Sequence, residues 1–373
     1  MMKVLRNLIL VDESHKLNLK KVDVLINAEK IYDIVENYNG DYDEKIKYSG
    51  EYISPGWIDL HAHVFQNETD LGVDVDRIGI ESGVPIVCDA GSAGQLNIDN
   101  FYEQIKNKKT IVKSWINLAS TGLINRYELK DPDNVNILKT LEKIEKYKDF
   151  IIGLKVRASS SVMGEDTNTP FEKAKLLRDK TKLPIMVHIG NYPPTYEDVL
   201  GHLTKNDIIT HCFHGKPGNI LTRDNTVKKY MISKRKEGIR YDVGHGQDSF
   251  SFSVANYAKK DGFYPDSLST DLHKYNVNGP VFSLANVVNK FLELGFNLNE
   301  VINWVTINPA KMIKLEHYGV LEKGSPATLT IFKIDNEDKE LIDSDGNIIK
   351  VKSVVKMVDV FKNGERFNVK YEN

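Results

Sequence analysis

Ten histidines stand at positions 15, 61, 63, 188, 202, 211, 214, 245, 273 and 317, and all but His15, His202 and His317 fall at or just beyond the end of a short apolar run. Imidazole binds metals readily and changes charge near neutral pH, so such a gathering points to metal binding or proton transfer. His61 and His63 are separated by one residue, which on a strand puts both rings on one face, able to share a cation. His188, His211 and Asp271 each close a further run, and Lys155 closes another in IIGLKVRAS. Any one of these histidines alone reads equally well as a hydrogen-bonded rim residue. Their common placement is what scatter would not produce. The cysteines, Cys88 and Cys212, lie 124 residues apart without a CxxC pair, so a thiolate zinc site is excluded and both are expected to be small buried residues. Imidazole and carboxylate without thiolate suit zinc, manganese, iron or nickel, and five such groups exceed the needs of one tetrahedral ion with an open position. Two divalent ions are therefore expected, zinc by default. A two-metal site wants an anionic bridging ligand, and with no Asp or Glu ending the fourth run the residue left there is Lys155.

These side chains need a frame that brings strand ends together. The apolar runs begin near Ile53, Val84, Thr110, Phe150, Leu183, Asp207, Ile239 and Ser267, and the stretches between them include NVNILKTLEKIEKYK and TPFEKAKLLRDKT, with apolar residues at helical spacing. Eight strands alternating with helices over this length predict an α/β fold, a (β/α)8 TIM barrel, whose chemistry sits at the C-terminal ends of its strands. Strand-like segments before and after it, KVLRNLILVD and KVDVLINAEKIYDIV at one end and LTIFKID and SVVKMVDVFKNGERF at the other, predict a small β-sandwich-like domain built from both termini. The expected boundaries are 1–54 and 315–373 for that domain and 55–314 for the barrel. With 50 Lys+Arg against 52 Asp+Glu the chain of 373 residues has a formal charge of −2, which gives no electrostatic case for a nucleic acid or an anionic membrane. The first residues form neither a secretory signal nor a span, so a cytoplasmic location is expected.

The strings PGWIDLHAHVF, CDAGSAG, Lys155 in GLKVR, the single His188 and His211, Asp271 in STDLH and the closing GVLEKGSPATLTIF resemble the amidohydrolase superfamily over the whole chain. Within it the chain is most similar to the dihydroorotase-like amidohydrolase/deacetylase metallohydrolase group. The resemblance implies that Lys155 is N-carboxylated by carbon dioxide and bridges the two ions. It also implies that His61, His63 and Asp271 hold one ion and His188 and His211 the other. A hydroxide shared by the metals would then attack a carbonyl, with Asp271 as the catalytic acid–base. Arg157, two residues after Lys155 and one of nine arginines, reads either as a grip on a substrate carboxylate or as an ion pair with a barrel carboxylate. His273 shares the face of Asp271 and is expected to contact substrate, as members of the family often use this position. His214 and His245 read as rim or supporting residues, and Asn191 and Tyr192 as candidates for shaping the pocket. One departure bears on the reaction: dihydroorotases carry an arginine two residues after the second histidine, and this chain has Phe65. The expected activity is hydrolysis of an N-acyl group, N-acetyl above all, from a small carboxylate-bearing substrate. Ring opening of a cyclic amide and a metal-free scaffold are the alternatives. A homo-oligomer acting on a small molecule is expected.

Overall fold

The parallel sheet grows from runs that are mostly buried, the mark of strands covered on both faces. The computed structural model describes residues 1–125 and 127–371. The sheet contains β6 (Ile58–Ala62), β7 (Ile86–Ala90), β8 (Ile111–Asn117), β9 (Ile151–Ala158), β10 (Ile185–Ile189), β11 (Ile208–Thr210) and β12 (Arg240–Tyr241), each paired in parallel with the next. Helices cover it where the apolar spacing predicted them, among them Ile137–Lys146, capped by the Asn136 side chain accepting from Lys139 N, and Asn168–Thr181. Two elements differ from the sequence reading. The first run splits, because Pro55 has no amide proton to continue a ladder and Gly56 sits where a Cβ would come 2.7 Å from the Pro85 ring. Tyr52–Pro55 therefore belongs to the other sheet. The eighth run forms no extended strand: Ser267 bridges Asp242 on one flank and Leu272 bridges Ala62 on the other. Hydrogen bonds from His245 N to Ser269 O and from His63 N to Leu272 O hold it there, so segment 267–272 links the two edges of a curled sheet.

Both chain ends enter a second sheet of eight strands. These are β1 (Met2–Leu10), β2 (Lys21–Asn27), β3 (Lys30–Val35), β4 (Glu44–Lys47) and β5 (Tyr52–Pro55), with β13 (Leu329–Ile342), β14 (Ile348–Lys362) and β15 (Glu365–Asn368). The order runs β15-β14-β13-β5-β1-β2-β3, with β4 also on β1, so β5 joins the two terminal segments. Leu5, Leu8, Val24, Ile53, Leu329 and Phe361 are among the buried residues of its own core. The two sheets also share packing, since Phe332, Val354 and Met357 belong to the same core as the parallel-sheet residues Val87, Leu154 and Val187.

The hairpin of β13 and β14 reaches far from its sheet. At its tip Ser344 N donates to Phe250 O at 2.9 Å and Ser344 Oγ to Gly246 O at 3.1 Å, while Asp343 accepts from Phe252 N at 3.0 Å. A Cβ on Gly215 would lie 2.2 Å from Asp345 Oδ2, so that loop must pass close to the tip. No helix among the described residues is long and apolar enough to cross a membrane.

Candidate metal centre

Parallel strands all point their C-terminal ends the same way, and curling the sheet makes those ends converge. His61 lies on β6 and His63 just past it, and both Nε2 atoms reach Asp271 Oδ1, at 3.3 and 3.1 Å. His211 follows β11 with its Nε2 3.9 Å from Asp271 Oδ2, and its ring lies 5.0 Å from that of His61 and 4.4 Å from that of His188 on β10. Lys155, on β9, places Nζ 3.2 Å from His61 Nε2. All six residues expected as ligands thus meet in one buried cluster, and the potential ligand atoms of His61, His211 and Asp271 lie within 4.8 Å of one another. His211 and Asp271 both hold left-handed backbone, φ 65° and 51°. That conformation costs about 1–3 kcal/mol for a residue with a side chain, and such strain gathers at functional sites.

The hydrogen bonds behind the rings fix which nitrogen faces inward. Thr210 Oγ1 donates its single proton to Asp242 Oδ2 at 2.7 Å, so toward His61 Nδ1 at 2.9 Å it accepts. His61 is therefore protonated on Nδ1 and presents the Nε2 lone pair to the cluster. A carbonyl can only accept, so His211 Nδ1, 2.6 Å from Gly244 O, also carries its proton and leaves the Nε2 lone pair inward. That Nε2 is buried with no hydrogen-bond partner. His273 is protonated on the other nitrogen: Tyr275 N donates to its Nδ1 at 3.2 Å, so in the neutral ring Nε2 carries the proton. Two lone-pair edges thus serve a cation and one N–H edge serves an acceptor.

Electrostatics agree with that division. Burial pushes His61 and His188 well below the usual imidazole range, and pushes His211 down to about 4 against the opposing pull of Asp271. With these rings neutral, the contacts of His61 and His211 to Asp271 are not ion pairs. Burial also lowers the Lys155 ammonium to about 8, although Asp271, Asp242 and Asp89 act to raise it. Burial works to raise the Asp271 carboxyl, but the hydrogen bond from His63 and the neighbouring His211 outweigh it and hold it below the ordinary range. A carboxylate, neutral imidazoles with inward lone pairs and an orphaned His211 Nε2 form a donor set that fits divalent cations.

Above the cluster lies a cavity of about 80 Å³ whose wall includes His63, Lys155, Arg157, His188, Asp271 and His273. It shares Leu71, Leu123 and Arg157 with a second, outer cavity of about 430 Å³. Of the two readings of Arg157, the structure forms the ion pair: Nε and Nη2 donate to the two carboxylate oxygens of the fully buried Glu128 at 2.7 and 2.6 Å. Arg157 nonetheless lines both cavities. Neither Glu128 nor the Thr210–Asp242 pair behind His61 carries a motif or spacing that marks it in the sequence. His245 lies off the cluster, where its Nε2 accepts from the buried Lys290 Nζ at 2.7 Å. His214, Asn191 and Tyr192 line neither of these cavities. Both cysteines are buried and free, as expected, with their thiols pushed up by burial.

Phe65 points into the core, 1% exposed, its ring 4.9 Å from that of Phe101. It does not line the cavity above the cluster. Phe65→Ala is expected to lower stability by roughly 3–5 kcal/mol in urea unfolding while leaving bound metal per chain unchanged, as a core aromatic does.

The model of the Amidohydrolase family matches residues 52–366. A "Deacetylase" of Enterococcus faecalis is 35% identical over 364 residues, covering 96% of this chain and 99% of that protein. A crystal structure described as an adenine deaminase is similar with a TM-score of 0.94 and 34% identity, covering 98% of this chain and 99% of that one. Another, described as a dihydroorotase, has a TM-score of 0.92 and 33% identity and covers 100% and 99%.

Proposed function

This chain belongs to the amidohydrolase family and is a hydrolytic enzyme acting on carbon–nitrogen bonds other than peptide bonds, and from that premise we propose a binuclear metal-dependent deacylase. It removes a small acyl group, acetyl above all, from the nitrogen of a carboxylate-bearing small molecule. The observation that carries the reading is the sorting of imidazole tautomers, with the Nε2 lone pairs of His61 and His211 left free beside Lys155 and Asp271 and a protonated Nε2 on His273, which lines the cavity. In this reading His61, His63 and Asp271 would hold one ion and His188 and His211 the other, and Lys155, N-carboxylated by carbon dioxide, would supply the anionic ligand the two share. Bound divalent ions, zinc by default, supply the Lewis acidity that makes water nucleophilic near neutral pH. Asp271 accepts the proton of the attacking water on a carboxylate oxygen and returns it to the departing nitrogen. His273 Nε2–H donates to an oxygen of the substrate. Arg157, braced by Glu128, meets the substrate carboxylate at the junction of the two cavities. The inner volume of about 80 Å³ suits an acetyl-sized group, and the outer 430 Å³ receives the amine portion.

The name of the Enterococcus faecalis relative supports deacylation. The likeness to a structure described as a dihydroorotase favours ring opening as the second reading, and the burial of Phe65, where a dihydroorotase has its anchoring arginine, weighs against it. The residues at 61, 63, 155, 188, 211 and 271 weigh against a metal-free scaffold, and Lys155 against a mononuclear deaminase. The reading includes a (β/α)8 barrel with the terminal sheet as a separate small domain, a homo-oligomeric assembly and a cytoplasmic setting. Metal analysis is expected to give about two ions per chain, and N-acetyl amino acids are expected to release acetate, as a two-metal hydrolase requires. Opening of cyclic imides without acetate release would install the second reading, and a metal-free, inactive protein would overturn both.

A further inference from the structure

The loops after β10 and β11 enclose a cavity of about 490 Å³ that shares no lining residue with the two cavities over the cluster. Its size is that of small-molecule sites, several times the inner catalytic volume. In its wall Tyr196 and His214 stack with ring centroids 5.8 Å apart and planes within 6°. Both are 2% exposed, and neither the Tyr196 hydroxyl nor either His214 ring nitrogen has a hydrogen-bond partner. Three of the seven such orphaned side-chain atoms among the described residues therefore sit on this one pair. Another of the seven is His211 Nε2, which faces the proposed metals. Buried polar atoms are ordinarily paired, so a cluster of orphans in a cavity wall marks bonds completed from outside the chain.

Burial pushes His214 down to about 3 and Tyr196 well up, so both stay neutral, each with a donor and an acceptor to give. At the rim Lys228 and Lys229 outnumber Glu197, and Tyr192, Pro194 and Tyr230 supply flat apolar walls. We propose that this cavity is a second small-molecule site, apart from the hydrolytic pocket, that takes a flat aromatic carboxylate bearing a hydroxyl group. The ring lies between Tyr192, Pro194 and Tyr230, the carboxylate turns to Lys228 and Lys229, and the hydroxyl reaches the Tyr196–His214 pair.

The test is titration calorimetry of the metal-loaded protein with 4-hydroxybenzoate, together with a crystal soak in 3-bromo-4-hydroxybenzoate to place the bromine by its anomalous signal. Saturable binding is expected, weakened at least tenfold by His214→Phe and by Tyr196→Phe and several-fold by Lys229→Ala, with bromine between the loops after β10 and β11. Tyr196→Phe removes one oxygen only, so the test stands even if His214→Phe fails to fold. Absence of saturable binding, equal affinity in Tyr196→Phe, or bromine only at the His61–Asp271 cluster would overturn the proposal. None of these outcomes bears on acetate release, which tests the deacylase reading separately.

Discussion

Lys155→Ala is expected to lower kcat by about 10³-fold or more, at least the upper part of the 10²–10⁴-fold range of a single acid–base group, because it removes the centre of the cluster rather than one proton carrier. The side chain is 3% exposed, with Nζ 3.2 Å from His61 Nε2 and 3.6 Å from Met186 Sδ. A permanent ammonium there would repel two cations, whereas a carboxylated nitrogen would attract both, so the variant should also lose metal. Truncation leaves a buried hole about four methylenes long, and acetate or propionate added to the assay should enter it and restore part of both metal content and rate. Metal per chain and kcat measured together decide the matter. A variant that keeps two ions and near-normal kcat would remove Lys155 from the mechanism.

Arg157→Ala is expected to raise KM for N-acetyl amino acids by about 10- to 100-fold, the loss of a charge-assisted hydrogen bond to a carboxylate, with kcat and bound metal little changed. Glu128→Gln should act in the same direction but less strongly. Its carboxylate accepts from two nitrogens of the guanidinium, and burial raises its pKa while Arg157 works to lower it. The amide keeps one acceptor and loses the charge, so the fork is held less firmly. If Glu128→Gln lowers only stability and leaves KM untouched, the pair is structural and the anchor lies elsewhere. Removing one partner of a buried pair costs roughly 3–5 kcal/mol where both ions are desolvated. Here the Arg157 side chain is 24% exposed, which lowers the expected stability loss below that range.

Much of this site could be read from the sequence because a parallel sheet converts linear position into spatial convergence. A ligand at the end of one run meets a ligand at the end of another, whatever lies between. That is how residues as far apart as His61 and Asp271 come within 3.3 Å. The supporting residues obey no such rule. Glu128 lies in the long connection after β8, which has no apolar period to say which side chain turns inward. Thr210 and Asp242 are ordinary strand-end polar residues, and only the structure reveals that their bond sets the His61 tautomer. The eighth run reads as a strand because SLSTDLH puts Leu268, Thr270 and Leu272 on one face, yet its serines and threonine bond sideways to Asp242 and Asp59 and leave only bridges to its neighbours. The terminal hairpin was under-read for the opposite reason. The outer half of β13, NEDKE, alternates between half-buried and exposed, so its charges look like a loop.

That hairpin changes what can be treated as the catalytic unit. Its tip holds the backbone of Gly246, and a Cβ on Gly246 would stand 2.7 Å from Asp271 Oδ2, so Ser344 braces the surface against which the Asp271 carboxylate rests. A chimera that joins this curled parallel sheet to a relative's terminal sheet at residue 315 would therefore exchange part of the support of the His61–Asp271 cluster along with the sheet. The natural seam for recombination runs instead between the hairpin tip and the rest of the terminal sheet, with residues 343–347 travelling together with loop 244–252.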